Sequence, residues 1–411
     1  MIGVIADDVT GATDVAAALS RAGLRTLLSL TAEISETAST APADAVVIGL
    51  KTRSMPVEEA VALSLDALAS LQGLGADRFY VKYCSTFDST PEGNIGPITE
   101  ALAAELGAGV VVTTPAAPVH GRTVYRGRLF VGDDLLDETH MRDHPVTPMR
   151  DSSVARLLAP QVSGRVGVLP LETVRSGAAS VRDRIAQARA AGEAHLVADA
   201  VGEEDLAVIA EAVEDDVLVG GSAGLIGALA LRRPASLDAL PHRTAGRTAI
   251  LAGSCSRRTL EQIGRFREEG RPSFRLIAGP GETADDLADR AVAWWDEQPA
   301  DASALIYSSS PADEREHRSP ALGELYERAA GEIAVRLAER GIHRLLIAGG
   351  ETSGEVIRAL GTTTAVVGEE AAAGVPWIHD TERGLDLVLK SGNFGSPELF
   401  VDVVRDGAEA R

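Results

Sequence analysis

Short runs of β-branched and aliphatic residues alternate, from the first residue on, with Ala- and Leu-rich stretches of helical spacing. That alternation is the pattern of parallel βαβ units. It predicts strands at Ile2 to Ala6, Thr26 to Leu30, Ala45 to Gly49, Phe79 to Tyr83 and Val110 to Thr114, with helices over Val57 to Leu71 and Ile95 to Leu106. The strand runs are apolar throughout, so the sheet should be buried on both faces. Between Arg122 and Pro148 the rhythm fails. Gly, Pro, His and Arg gather there, including His120, Arg122, His144 and Arg150 in and beside it, and a long functional loop is expected. A further α/β stretch follows from Val166 to Leu231. Pro234, Pro241 and Gly246 mark a linker. From Thr248 a fresh series predicts strands at Ala249 to Ala252, Phe274 to Ile277, Ala304 to Tyr307, Arg344 to Ala348 and Thr364 to Val367, and a helix over Leu322 to Arg340.

With 411 residues the chain exceeds the size of one core. The predicted architecture is therefore α/β in two domains, 1–232 and 248–411 joined by 233–247, each a largely parallel sheet flanked by helices, with the active site in the cleft between them. A formal charge of -21 opposes nucleic acid and anionic lipid, so an anionic ligand must be held by local cations. Cys84 and Cys255 make no metal-ligand spacing and read as reduced thiols of a cytoplasmic protein. No apolar run reaches the roughly 18 residues needed to cross a bilayer.

Candidate chemistry sits where strands end. The run GGETSG (Gly349 to Gly354) follows Leu345 to Ala348 and opens a predicted helix at Glu355, bringing free N–H groups and a helix N-terminus to one point that suits phosphate. Thr352 and Ser353 are expected to add hydroxyl donors. GSCSRRT (Gly253 to Thr259) and LKSGNFG (Leu389 to Gly395) are two further cradles, with Lys390 a candidate for neutralising phosphate. Ordinary helix caps and a C-terminal β-turn fit the same letters. In the first half, Asp7 and Asp8 end the first strand. Alternation along extended chain points them in different directions, so one can accept a hydroxyl proton while the other orients substrate or a Mg²⁺-bound water, unless Asp8 merely caps the helix. Arg53 and Lys82 end neighbouring strands. A lysine in a buried strand needs a charge partner, either a carboxylate substrate or an internal bridge to Asp7, Asp8 or Asp88.

IADDVTGATDVA (Ile5 to Ala16), KTRSMP (Lys51 to Pro56), KYCSTFDSTPEGNIGP (Lys82 to Pro97), GRTVYRGRLFVGD (Gly121 to Asp133), HPVTPM (His144 to Met149), GGETSG and LKSGNFG together resemble the four-carbon acid sugar kinase family over essentially the whole chain. The long KYCSTFDSTPEGNIGP stretch is similar to the 3-oxo-tetronate kinase branch; threonate and erythronate kinases carry a shorter Ser-Thr-Leu-Arg-Gly type sequence there. The resemblance implies an N-terminal sugar-acid domain, a C-terminal nucleotide domain, and transfer of a phosphoryl group from ATP, with Mg²⁺, to the 4-hydroxyl of a 3-oxo-tetronate. It places ATP on Ser254, Gly349, Gly350, Glu351, Thr352, Ser353, Gly392 and Gly395. It places the acid on Asp7, Asp8, Arg53, Lys82 and Ser85. Of these, Asp8, or else Asp7, is expected to take the proton, with Lys82 as a further catalytic residue. Ala117, His120 and Arg128 depart from that branch's pattern. Expected partners are the sugar acid and ATP, with a homodimer left open. Rival readings are a threonate or erythronate kinase, a nicotinamide-dependent oxidoreductase, and a non-catalytic sugar-acid sensor.

Overall fold

The computed structural model describes residues 1–32, 34, 43–143, 147–235, 245–311, 320–380 and 382–409. His144 and most of the predicted linker lie outside them. The chain divides into two compact units, Met1–Asp238 and Ala239–Arg411.

In the first unit the strands are β1 (Ile2–Ala6), β2 (Thr26–Ser29), β3 (Ala45–Gly49), β4 (Arg78–Lys82), β5 (Val111–Thr114), β9 (Arg165–Leu169), β10 (Glu193–Ala198) and β11 (Leu218–Gly221). They run parallel in the order β2-β3-β1-β4-β11-β5-β10-β9. β1 and β3 are buried at every residue, as a sheet covered on both faces requires. Register decides the rest. Ala6 pairs with both Gly49 and Lys82, and Lys82 with Gly221, so four strands end side by side. The order also reverses at β1, with β3 on one side and β4 on the other, and such a switch point opens a crevice at the carboxyl ends.

The expected irregular loop is a correction. Arg122–Tyr125 (β6), Arg128–Val131 (β7) and Asp134–Leu135 (β8) form a small antiparallel sheet. Arg126 and Gly127 turn it with positive φ (51° and 68°), and their N–H groups both donate to the buried Asp199 carboxylate at 2.7 Å. A carboxylate some seventy residues downstream thus replaces the local turn signals that sequence reading relies on.

In the second unit the order is β13-β14-β12-β15-β18-β17-β16, comprising β12 (Thr248–Ala252), β13 (Ser273–Arg275), β14 (Ala304–Tyr307), β15 (Arg344–Ala348), β16 (Thr364–Ala372), β17 (Val375–Asp380) and β18 (Leu385–Lys390). The first five are parallel, and β17 is antiparallel to both its neighbours. The switch point falls between β12 and β15. A core of Phe266, Trp377, Phe400 and aliphatic strand residues backs it.

At the opposite end of the first sheet, burial pushes the Asp216 carboxyl up to about 6, and its Oδ2 has no hydrogen-bond partner. The folded state therefore holds this proton more tightly than the unfolded chain does. Its stabilising effect is complete below about pH 4 and is lost as pH rises through 6. Asp216→Asn is expected to raise stability by about 1–2 kcal/mol at pH 7.5, after allowance for partial exposure, and to leave it unchanged near pH 3.5. Melting temperatures of both proteins at the two pH values check this.

Candidate functional site

The strand ends of the first unit are stapled through the main chain. Asp7 N–H donates to the Lys82 carbonyl (3.1 Å), while the N–H groups of Thr52 and Arg53 donate to the Asp7 carbonyl (3.1 and 3.3 Å). This brings Asp7, Asp8, Arg53 and Lys82 together, as expected from sequence. Arg53 Nε and Nη2 grip Asp7 in a two-pronged pair, both at 2.9 Å, and Nη2 also meets Asp8. Two carboxylates thus hold one guanidinium from adjacent chain positions. Asp8 performs the capping role as well: its Oδ1 accepts from Gly11 N–H and from Thr10 Oγ1 (3.2 Å) at the start of the helix Val9–Arg21.

Lys82 differs. It is 3% exposed, yet no carboxylate among the described residues lies within the 4.0 Å of a salt bridge to its ammonium. The internal bridge that would have explained it from sequence does not form. Gly11 explains how the ammonium fits: a Cβ there would stand 2.7 Å from Asp8 Oδ1 and 2.9 Å from Lys82 Nζ. A glycine within a helix costs stability, and here it makes room for the two charged groups. Sequence reading passed over Gly11 because isolated helix glycines are common.

The two aspartates are tuned apart. Burial, only partly countered by Arg53, raises the Asp7 carboxyl above its usual range. Burial would raise Asp8 too, but Arg53, Lys82, the Gly11 N–H and Thr10 outweigh it and hold the carboxyl low. Asp8 is the more open of the pair, with its side chain 26% exposed against 11% for Asp7.

Beyond Lys82 the segment KYCSTFDST is held in an uncommon shape. Phe87 has φ 52°, is wholly buried, and packs edge-on to Tyr83 with ring centroids 5.2 Å apart. A bulky residue in the left-handed region is strained, and such strain persists only where the surroundings over-determine it. Ser85 lies in the turn of this segment, half-buried. Burial pushes the neighbouring Cys84 thiol up to about 11, so it is no nucleophile at neutral pH. Gln161, absent from the sequence expectations, fixes the segment through Ser89 Oγ and the Thr90 carbonyl, both at 2.9 Å.

In the second unit three loops converge on the β12/β15 switch point. Gly253 and Ser254 N–H groups donate to the Ala348 carbonyl (both 3.0 Å), and Gly349 N–H to that of Lys390 (2.9 Å). Gly349 has φ 135°, and the helix begins immediately, at Gly350 rather than Glu355. This corrects the expected hydroxyl donors. Thr352 and Ser353 are buried residues of the first turn, and Thr352 Oγ1 packs against Gly253 and Gly349 instead of lining the mouth. The donors offered outward are the unpaired N–H groups of the first turn, at Gly350, Glu351 and Thr352. Space ahead of Gly350 is open: a Cβ there meets nothing within 4 Å. Gly392 lies against Ser254 Oγ, and its carbonyl accepts from Ser256 Oγ (2.5 Å), Thr259 Oγ1 (2.9 Å) and Lys390 Nζ (2.8 Å). Gly395 turns with φ 81° beside Leu399.

Lys390 is not placed for phosphate. It is fully buried, and its ammonium donates to Thr259 Oγ1 and to the carbonyls of Ser391, Gly392 and Phe394. Burial, with Arg258 a lesser cause, pushes it down to about 7, while the ring of oxygens favours the charged form. Its work is to shape the loop.

No group of three or more His, Cys, Asp or Glu suited to a metal occurs among the described residues, and no described helix is long and apolar enough to cross a membrane.

Comparison with known proteins matches residues 2–229 to a sugar-binding N-terminal domain and 249–400 to a nucleotide-binding C-terminal domain. The chain is 42% identical to a 3-oxo-tetronate kinase of Burkholderia multivorans, covering 99% of this chain and 98% of that one. It is 40% identical to a 3-oxo-tetronate kinase of Salmonella typhimurium, covering 98% and 99%. A crystal structure from Salmonella typhimurium LT2 superposes with a TM-score of 0.90 at 39% identity, over 98% of this chain and 99% of that one. One from Haemophilus influenzae gives 0.79 at 38%, over 98% of each.

Proposed function

We infer that this chain, which belongs to the four-carbon acid sugar kinase family, transfers the γ-phosphoryl group of ATP to the 4-hydroxyl of a 3-oxo-tetronate. The observation that carries this reading is Lys82, a buried lysine beside two aspartates whose ammonium has no carboxylate among the described residues within salt-bridge distance. Burying such a charge is costly unless something pairs with it, and a substrate carboxylate does so. Arg53 is committed to Asp7 and Asp8, so it contributes through Nη1, the edge those bonds leave over. Of the two cations, Lys82 therefore leads in holding the acid. Ser85 adds a hydroxyl from the neighbouring turn.

Asp8 takes the proton from the attacking hydroxyl. It is held ionised and is the more open of the two carboxylates, its side chain 26% exposed against 11% for Asp7. On the second domain, the N–H groups of Gly350, Glu351 and Thr352, with Ser254, Gly349, Gly392 and Gly395, receive the phosphates of ATP. A Mg²⁺ accompanying ATP would supply further charge neutralisation there. Glu351, exposed in the first helical turn, is the carboxylate these loops offer it. Transfer requires the two bound substrates to meet in line during turnover, and because phosphoryl transfer depends chiefly on positioning and charge, no covalent intermediate is needed. We place this reaction in the cytoplasm, where Cys84 and Cys255, which form no disulfide, stay reduced.

ADP release with a panel of acids tests the reading. Turnover is expected with 3-oxo-tetronates and poor with threonate and erythronate. ADP formed best with the tetronates would reassign the substrate, nicotinamide reduction without ATP would indicate an oxidoreductase, and acid binding without turnover a sensor.

A further inference from the structure

Lys390 closes β18 with its side chain fully buried. Around its ammonium stand Thr259 Oγ1 (3.0 Å) and the carbonyls of Ser391 (3.1 Å), Gly392 (2.8 Å) and Phe394 (3.3 Å). All are neutral oxygens, and they outnumber the N–H bonds an ammonium can donate. Such a shell is that of a cation held in a ring of dipoles, the setting in which backbone carbonyls replace the water around a potassium ion. Its effect on the loop follows from peptide geometry. No described peptide bond is cis, and in a planar trans unit the N–H points opposite to the C=O. Drawing the Ser391, Gly392 and Phe394 carbonyls onto the ammonium therefore turns the N–H groups of Gly392, Asn393 and Gly395 away from it. None of those three N–H groups makes a hydrogen bond within the described residues, whereas Phe394 N–H donates back to the Ser391 carbonyl (3.1 Å). Gly392 and Gly395 are half-buried and Asn393 is exposed, so the three donors are open to an anion. The loop also lies against the Gly253–Ser256 turn: a Cβ on Gly392 would stand 2.5 Å from Ser254 Oγ and 3.0 Å from Ser256 Oγ.

We propose that Lys390 is a positioning residue, a built-in replacement for a bound monovalent cation, whose charge turns the Gly392, Asn393 and Gly395 N–H groups toward the phosphates of ATP. That role rests on the kinase reading above, in which ATP meets Gly392 and Gly395, and it adds the Asn393 N–H to the contacts. It also gives the ammonium a task that needs its charge without touching the ligand: remove the charge, and three carbonyls that now face inward lose their common donor.

The KM for each substrate and the Kd for ADP, measured in Lys390→Ala, Lys390→Met and the wild type, test this. Lys390→Ala is expected to raise the KM for ATP and the Kd for ADP by about tenfold or more, with the KM for the acid changed less than about threefold. Propylammonium, the chain and charge that this substitution deletes, is expected to restore most of the loss, and 1-propanol, of the same size without the charge, is not. Lys390→Met fills the space but carries no charge, so it should lose ADP affinity as Lys390→Ala does and gain nothing from propylammonium. ADP affinity within about threefold of wild type in Lys390→Met, rescue of Lys390→Ala by propanol as good as by propylammonium, no rescue by either, or a loss shared equally by both substrates would overturn the proposal. Should neither variant fold, ¹⁵N–¹H spectra of the wild type decide: movement of the Gly392, Asn393 and Gly395 amide signals on titration with ADP sustains it, and three unmoved signals overturn it. Absence of turnover with every acid, with ADP still bound at those amides, would instead refute the kinase reading.

Discussion

Lys82→Met is expected to lower kcat/KM for the sugar acid by about 10³-fold or more, with the KM for ATP changed less than about threefold. The side chains of Lys and Met are similar in length, so the substitution removes the charge while largely filling the space. What remains is one guanidinium already shared by two carboxylates. An incoming acid would meet Asp7 and Asp8 without a free cation between them, and like charges at close range repel it. Lys82→Arg should not rescue the loss. A planar guanidinium is bulkier than an ammonium, and the ammonium already stands where a single Cβ on Gly11 would come within 2.9 Å. Asp8→Asn should cost a comparable factor while leaving the protein folded, because asparagine caps a helix about as well as aspartate. Steady-state kinetics with each substrate varied in turn check all three. Activity within tenfold of wild type for Lys82→Met would make this lysine a structural feature.

Gly349→Ala is expected to raise the KM for ATP by about a hundredfold and to lower stability by about 1–3 kcal/mol, leaving the KM for the acid near its wild-type value. Gly349 sits at φ 135°, where residues with a side chain are strained, and its Cβ would come within 2.9 Å of Thr352 Oγ1 and 3.1 Å of the Ser254 backbone nitrogen. Relief must therefore come from moving the Gly253–Ser254 turn or the first turn of the helix, the two surfaces assigned to phosphate. Gly350→Ala is the matched control. Its φ is not in the positive range and its Cβ meets nothing, so the fold should be unaffected. ADP titrations and melting curves of the two variants separate loop geometry from the mere loss of a glycine.

How much of this was readable in the sequence follows the range of the forces involved. Ile2–Ala6, Ala45–Gly49, Ala304–Tyr307 and Arg344–Ala348 occur as their apolar runs predict, because a strand buried on both faces is written locally in its own letters. Register then carries Asp7, Arg53 and Lys82 to one edge, so the cluster too was legible once the strands were placed. The small sheet from Arg122 to Leu135 was not. Its hairpin is closed by Asp199, and no local pattern encodes a carboxylate seventy residues away. Lys390 was misread for a similar reason: a lysine beside glycines looks the same whether it faces a ligand or gathers the carbonyls of its own loop. The onset of the helix at Gly350 escaped because three glycines in six residues argue against helix, and the free N–H groups come from that early start.

The central claim is that a phosphoryl group passes from ATP to the terminal hydroxyl of a four-carbon 3-oxo acid. Proton-coupled ³¹P NMR of the product formed from ATP and 3-oxo-tetronate tests it most directly. A new phosphomonoester signal, split into a triplet by the two C4 protons and growing in step with ADP, is expected. A doublet, which would place phosphate on the C2 oxygen, or ADP accompanied only by inorganic phosphate, would contradict it.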